Sequence, residues 1–179
     1  TMNGGFAEFA KTKIAHAYKI PDSLTNEQGA FVEMLSSAVY AVQRAEIEPE
    51  NFAVVYGPGP VGLSMVQLLK AEGARVGIVG TRDYRLQLAL DTGADHVWNV
   101  SDESSPFYAP DLGEAIKAVN GGALADRVLV ATASVTASSE AWNEASLSWR
   151  AVIRSAGTST RRSSDPPPRN QWKLSNRIP

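Results

Sequence analysis

Three glycines at fixed spacing carry the clearest chemistry in this chain: Gly57-Pro58-Gly59-Pro60-Val61-Gly62. An apolar, β-prone run, Phe52–Tyr56, leads straight into them, a helix-patterned stretch follows, and a second β-prone run closes the unit at Val76–Val79. Strand, G-x-G-x-x-G, helix, strand is the context in which this spacing reads as a dinucleotide fingerprint rather than as a glycine-rich turn. Each glycine has its own task. Gly57 permits the tight turn, Gly59 lets the backbone approach a pyrophosphate, and Gly62 lets the helix pack closely on the strand. Pro60 and Val61 open the helix, whose first N–H groups and dipole favour an anion.

The end of the second strand speaks to which dinucleotide. NAD-binding versions carry Asp or Glu there, about 20 residues past the glycines, to bond the ribose hydroxyls. This chain reads Gly80-Thr81-Arg82 at that place, with no carboxylate before Asp83. Gly80 leaves room, Thr81 offers a hydroxyl, and Arg82 offers a planar cationic fork suited to phosphate. Arg85 lies one helical turn on and can close over the same group. Arginines are more often solvated surface charges, but the pattern favours NADP over NAD as the cofactor.

Strands alternate with helices at the spacing of a parallel, doubly wound α/β sheet. Thr25-Asn26-Glu27-Gln28 reads as a capping box, and Phe31, Leu35, Ala38, Val39 and Val42 then share a helical face. Val61, Met65, Leu68 and Leu69 form the buried stripe of the helix after the glycines, which Gly73 ends. Further elements are expected at Tyr84–Thr92 (helix, closed by Gly93), His96–Asn99 (strand), Asp111–Val119 (helix), Arg127–Ala131 (strand) and Ser138–Glu144 (helix). Residues 4–19 read as short strands around a Gly-Gly turn. His16 and His96, the two histidines of the chain, both fall in strands and are expected to be structural.

The 179 residues suit one ordinary domain with a fragment of a second. No cysteine is present, which excludes disulfides and thiolate chemistry. No apolar run reaches the ~18 residues of a membrane span, and the first residues lack the order of a signal peptide, so a cytoplasmic enzyme is the default. The net charge is −2, but the charges are unevenly spread. Arg150, Arg154, Arg161, Arg162, Arg169, Lys173 and Arg177 face the single acid Asp165 in the last part of the chain. A nucleic-acid arm would look similar in charge, but no nucleic-acid motif accompanies it.

With those elements placed, the chain resembles the medium-chain dehydrogenase/reductase family, in its zinc-dependent alcohol, sorbitol and threonine dehydrogenase branch. The resemblance rests on an ordered series: Gly4-Gly5-Phe6-Ala7-Glu8-Phe9, Tyr18-Lys19-Ile20-Pro21-Asp22, Phe31-Val32-Glu33-Met34-Leu35, the glycine fingerprint, Gly80-Thr81-Arg82, and Leu90-Asp91-Thr92-Gly93-Ala94-Asp95-His96-Val97. It implies that residues 1–24 are the last strands of a GroES-like catalytic domain and that residues 25–145 are most of a Rossmann domain. It places Ala131, Thr132, Ala133 and Ser134 near the nicotinamide half of the cofactor. It also implies an active-site zinc, held mainly by a cysteine and a His-Glu pair that this sequence lacks. Glu33 matches the acid of the family's Val-Glu-Pro-Leu motif, at or beside the zinc, with Met34 in place of the proline. One carboxylate does not make a zinc site, which takes three protein ligands and an open position.

The resemblance fades after about residue 145. Residues 146–179 have no apolar periodicity and contain Pro166-Pro167-Pro168, so they read as disordered or as a shifted reading frame. Back-translating Ser146–Arg154 one base upstream permits Val-Ala-Leu-Leu-Ala-Arg-Gly-Asp-Thr-Val, the helix end and strand that the family would have next. On this reading only four strands are legible, Arg127–Ala131 becomes an exposed edge, and the family's oligomer contact is lost. The expectation is an oxidoreductase fragment that binds NADP(H) and is catalytically incomplete, its full-length form acting on a small alcohol or polyol, without nucleic-acid or membrane partners. A non-catalytic dinucleotide-binding module and an S-adenosylmethionine-binding domain are the alternatives. The second normally keeps an acid at the end of strand two, and Gly80 argues against it.

Overall fold

The computed structural model describes residues 7–133 and the backbone of residues 152–154. Five parallel strands form one sheet: β1 (Phe52–Tyr56), β2 (Arg75–Gly80), β3 (His96–Asn99), β4 (Arg127–Val130) and β5 (Val152–Arg154). Their spatial order is β3-β2-β1-β4-β5, with register pairs Tyr56↔Val79, Tyr56↔Val130 and Gly80↔Asn99. The helices are α1 (Asn26–Ala45), α2 (Pro60–Ala71), α3 (Asp83–Asp91) and α4 (Leu112–Val119).

All five residues of β1 are buried, which is why the run is continuously apolar and β-branched rather than alternating. Strand geometry sends alternate side chains to opposite faces. Ala53 and Val55 join Met65, Leu69, Ile78, Leu86 and Leu129 in one core, beneath α1, α2 and α3. Phe52, Val54 and Tyr56 join Val79, Trp98, Ile116, Val128 and Val130 in the other, beneath α4. Two cores on the two faces of a parallel sheet make the doubly wound arrangement that the alternation of elements predicts.

The helix ends follow sequence chemistry. Thr25 accepts a hydrogen bond from the Gln28 N–H while the Gln28 side chain accepts one from the Thr25 N–H, so the capping box is formed. Asp111 caps α4 through the Glu114 N–H. At the other end of α1, Arg127 is 7% exposed. It donates to the carbonyls of Ala45 (2.7 Å), Glu46 (3.2 Å) and Asp126 (2.9 Å). A guanidinium is thereby spent on satisfying the C-terminus of a helix, where orphan carbonyls and the negative end of the dipole favour a cation.

Three expectations are corrected: strands before α1, His16 in a strand, and β4 as a bare edge. The segment before α1 contains a 3-10 turn at Ile14–His16 and no strand among its described residues; its side chains are exposed, so nothing there pairs an extended backbone, and His16 lies in that turn. Phe31 is also exposed; the buried face of α1 is Ala38, Ala41, Val42 and Ala45. Strand β4 is not a bare edge, because Val152–Arg154 pairs with it in parallel, Val128↔Val152 to Val130↔Arg154. The helix expected at Ser138–Glu144 and the rest of the tail lie outside the described residues.

Candidate functional site

The turn from β1 into α2 is wedged between its two neighbouring strands. The Gly57 N–H donates to the Val79 carbonyl at 2.9 Å, and the Ala131 N–H donates to the Tyr56 carbonyl at 2.8 Å. Gly57 has φ +102°, and a Cβ there would lie 3.0 Å from the Ala131 carbonyl oxygen and from Thr132 Cβ. Both the backbone conformation and the space demand glycine. Gly62 is required for a different reason: a Cβ on it would run into the Gly57 carbonyl oxygen, so α2 packs on the turn with no room for a side chain. Gly59 caps α2 at φ −87°, ψ 180°, with Pro60 at the first helical position, where its missing N–H costs nothing. A Cβ on Gly59 would meet no atom within 4 Å. Neither its backbone angles nor its neighbours require glycine there, so the open space in front of it is what the residue provides.

That space belongs to a cleft of about 380 Å³ at the carboxyl ends of the strands. It lies where the chain leaves β1 for neighbours on both sides, the switch point at which open α/β sheets take their ligands. Its lining brings together Gly57, Gly59, Gly80, Thr81, Arg82, Arg85, Ala131 and Thr132, from three separate segments. Pro60, Val61 and Gly62 form the first turn of α2 behind this lining. Tyr56, Pro58, Val79 and Val100 also line it and were not singled out from the sequence. Position alone could have found three of them: Tyr56 and Val79 end their strands, and Val100 directly follows β3.

The charge of the lining is one-sided, with Arg82 and Arg85 and no carboxylate. Asp83, the nearest acid in sequence, is engaged elsewhere: one of its oxygens accepts 2.7 Å hydrogen bonds from the Asn99 amide and the Ser105 hydroxyl. Asn99 is itself buried, and its own oxygen gathers the N–H groups of Ser101 and Asp102. This network ties α3 to the loop after β3. Arg82 is exposed at the N-cap of α3. Arg85 is half-buried and its Nε donates to the Tyr84 hydroxyl at 2.8 Å, with the guanidinium 5.5 Å from the Tyr84 ring centre. That hydrogen bond, with the nearby charges of both arginines, holds the Tyr84 phenol below its ordinary value of 10.0. The room expected beside Gly80 is partly taken: the Pro58 ring stands where a side chain at position 80 would begin.

A match to a known family follows the same elements. The profile described as zinc-binding dehydrogenase matches residues 60–156, more than half of the chain. The chain belongs to the zinc-binding dehydrogenase family. It is 37% identical over 103 residues to the sorbitol dehydrogenase of Bos taurus, covering 57% of this chain and 29% of that protein. Among solved structures, an alcohol dehydrogenase from E. coli CFT073, complexed with NADH, superposes with a TM-score of 0.66 at 28% identity, over 80% of this chain and 40% of that one. The 2R,3R-butanediol dehydrogenase from Bacillus subtilis superposes with a TM-score of 0.61 at 27% identity, over 80% and 40%. The chain therefore spans about three tenths of the length of the sorbitol dehydrogenase that it matches.

Among the described residues the family's metal finds no matching ligand set. No group of three or more His, Asp or Glu side chains among the described residues converges on a point that could hold a metal ion. Glu33 is exposed on α1, on a different element from every residue of the cleft. His96 is occupied in packing, its ring stacked on Trp98 (6.0 Å between centres, 20°) and edge-on to Phe52. Burial lowers its pKa below 6.5; Asp95 opposes that shift and Arg75 adds to it. No described helix is long and apolar enough to cross a membrane.

Proposed function

We propose that this domain binds NADP(H) in the cleft between the Gly57–Gly62 turn and the end of β2, as the cofactor-binding part of an oxidoreductase acting on a small alcohol or polyol. One observation carries the reading: the cleft is lined by Arg82 and Arg85 beside the end of β2 with no carboxylate, and Asp83 is held away by Asn99 and Ser105. A 2′-phosphate there meets two guanidinium forks, whereas an NAD ribose meets no carboxylate to accept from its hydroxyls. The kinship with an NADH-bound alcohol dehydrogenase and with sorbitol dehydrogenase supports a dinucleotide and a polyol-type substrate.

In this assignment the residues divide the work. Gly59 admits the pyrophosphate to the start of α2, where Val61 and Gly62 contribute first-turn N–H groups. Arg82, Arg85 and Thr81 hold the 2′-phosphate. Ala131 and Thr132 border the nicotinamide half, which supplies hydride transfer when bound. No zinc-dependent step is assigned to this chain, because its described residues do not assemble the ligands; a cytoplasmic location and the absence of nucleic-acid partners remain part of the proposal. The test is thermal protection of the purified chain by NADPH, NADH and S-adenosylmethionine in parallel. The expected order is NADPH first, NADH weaker and S-adenosylmethionine without effect. Protection by S-adenosylmethionine alone would replace the oxidoreductase reading with that of a methyl-donor-binding domain.

A further inference from the structure

We propose that Pro58 and Gly80 are a coupled specificity pair: the Pro58 ring occupies the space that the first side-chain carbon of any ribose-binding carboxylate at position 80 would need. The inference rests on the cofactor reading above and adds a residue of the glycine turn to what decides the choice of nucleotide. A Cβ on Gly80 would lie 2.6 Å from Pro58 Cγ and 2.8 Å from Pro58 Cδ, closer than carbon atoms approach. Its third neighbour, Leu86 Cδ2 at 3.2 Å, is the end of a flexible side chain and can yield.

The backbone on both sides of the tight contact is fixed. Pro58 has its φ fixed by its own ring. It follows Gly57, whose N–H is bonded to Val79 and whose α-carbon is hemmed in by Ala131 and Thr132. It precedes Gly59, which caps α2. Gly80 is the last residue of β2, paired with Asn99, and its carbonyl accepts from the Val100 N–H at 3.1 Å. The glycine turn and the strand end are thus locked face to face. An acid cannot be added at position 80 while Pro58 stays, and the ring must be removed before the site can be turned toward NAD.

A double-mutant cycle on the full chain tests this, using Pro58→Ala, Gly80→Ala, Gly80→Asp and the two doubles with Pro58→Ala. Melting temperature and the dissociation constants for NADH and NADPH are read for each. Gly80→Ala and Gly80→Asp should lower Tm in the parent, and much less in the Pro58→Ala background, because the collision is then gone. The Pro58→Ala/Gly80→Asp chain should bind NADH about tenfold more tightly than the parent, the scale of one charge-assisted contact, and should lose NADPH. Gly80→Asp alone should show no such gain, whether through a clash at the site or through failure to fold. Equal Tm penalties in both backgrounds, or a full NADH gain from Gly80→Asp alone, overturns the pair. A parent chain that binds neither nucleotide overturns the cofactor reading and the specificity claim with it, while the Tm coupling still decides the steric claim.

Discussion

Replacing Gly59 and Gly62 separately by alanine should split one motif into a binding residue and a packing residue. A methyl on Gly59 enters open space, with nothing within 4 Å, and the backbone there, φ −87° and ψ 180°, is open to any residue. Stability should stay about level, because the gain of about 0.4–1 kcal/mol from restricting the unfolded chain is offset by alanine's poorer fit at the helix N-cap that Gly59 occupies. The same methyl stands in the path of a pyrophosphate, so NADPH affinity should fall at least about tenfold, a loss of roughly 1.4 kcal/mol. A methyl on Gly62 instead collides with the Gly57 carbonyl oxygen. Overpacking of this kind costs about 1–3 kcal/mol. The gain in helix propensity from Gly to Ala, at most about 1 kcal/mol, offsets only part of it, because the obstacle is backbone and cannot rotate away. With about 3–5 °C per kcal/mol for a domain of this size, Gly62→Ala should melt several degrees below the parent. Differential scanning fluorimetry and nucleotide fluorescence titration on the same samples read both effects. If Gly59→Ala melts as low as Gly62→Ala, or keeps its full NADPH affinity, the division of labour within the turn is wrong.

Arg127→Met removes the donor that satisfies three carbonyls around the end of α1 and should cost about 2–4 kcal/mol, given roughly 1.5–3 for one hydrogen bond to a charged group; an unchanged urea midpoint would show that the cap is idle. For His96, the folded state holds the pKa below the ordinary 6.5. The unfolded chain therefore takes up the proton first as pH falls, and the stability present above that value is lost as pH drops through the folded pKa. His96→Phe keeps an aromatic ring against Trp98 and should flatten the dependence of Tm on pH between about 7 and 5. Asp95, also held below its ordinary 3.8, titrates outside that window; a variant with the parent's slope would assign the acid sensitivity elsewhere. Elemental analysis should find no stoichiometric zinc, and one zinc per chain that is lost in Glu33→Ala would contradict this.

The interior of the sheet was legible because its periodicities are strong. The continuous apolar run of β1, the helix opened by Pro60 and closed by Gly73, and the short β3 at His96–Asn99 all lie where the pattern puts them. The capping box was legible because it is a local bond between residues three apart. What was hidden depends on contacts between distant segments. Composition does not show that Asp83 is tied to Asn99 and Ser105, nor that Pro58 fills the space beside Gly80. It does not show that Gly77 in β2 is small because the Trp98 ring packs onto its α-carbon. The segment before α1 misled in the other direction: strand-like residues need a partner strand to become one, and Ile14–His16 close into a single turn instead.

Fluorescence titration of the parent chain and of Arg82→Ala, with NADPH and NADH side by side, tests the central claim most directly. The parent should hold NADPH the more tightly. Arg82→Ala should lose about ten- to a hundredfold in NADPH affinity, the worth of one charge-assisted phosphate contact at roughly 1.5–3 kcal/mol, while its NADH affinity barely moves. A parent that prefers NADH, or a variant that loses both nucleotides equally, would contradict the assignment of this cleft to a 2′-phosphate.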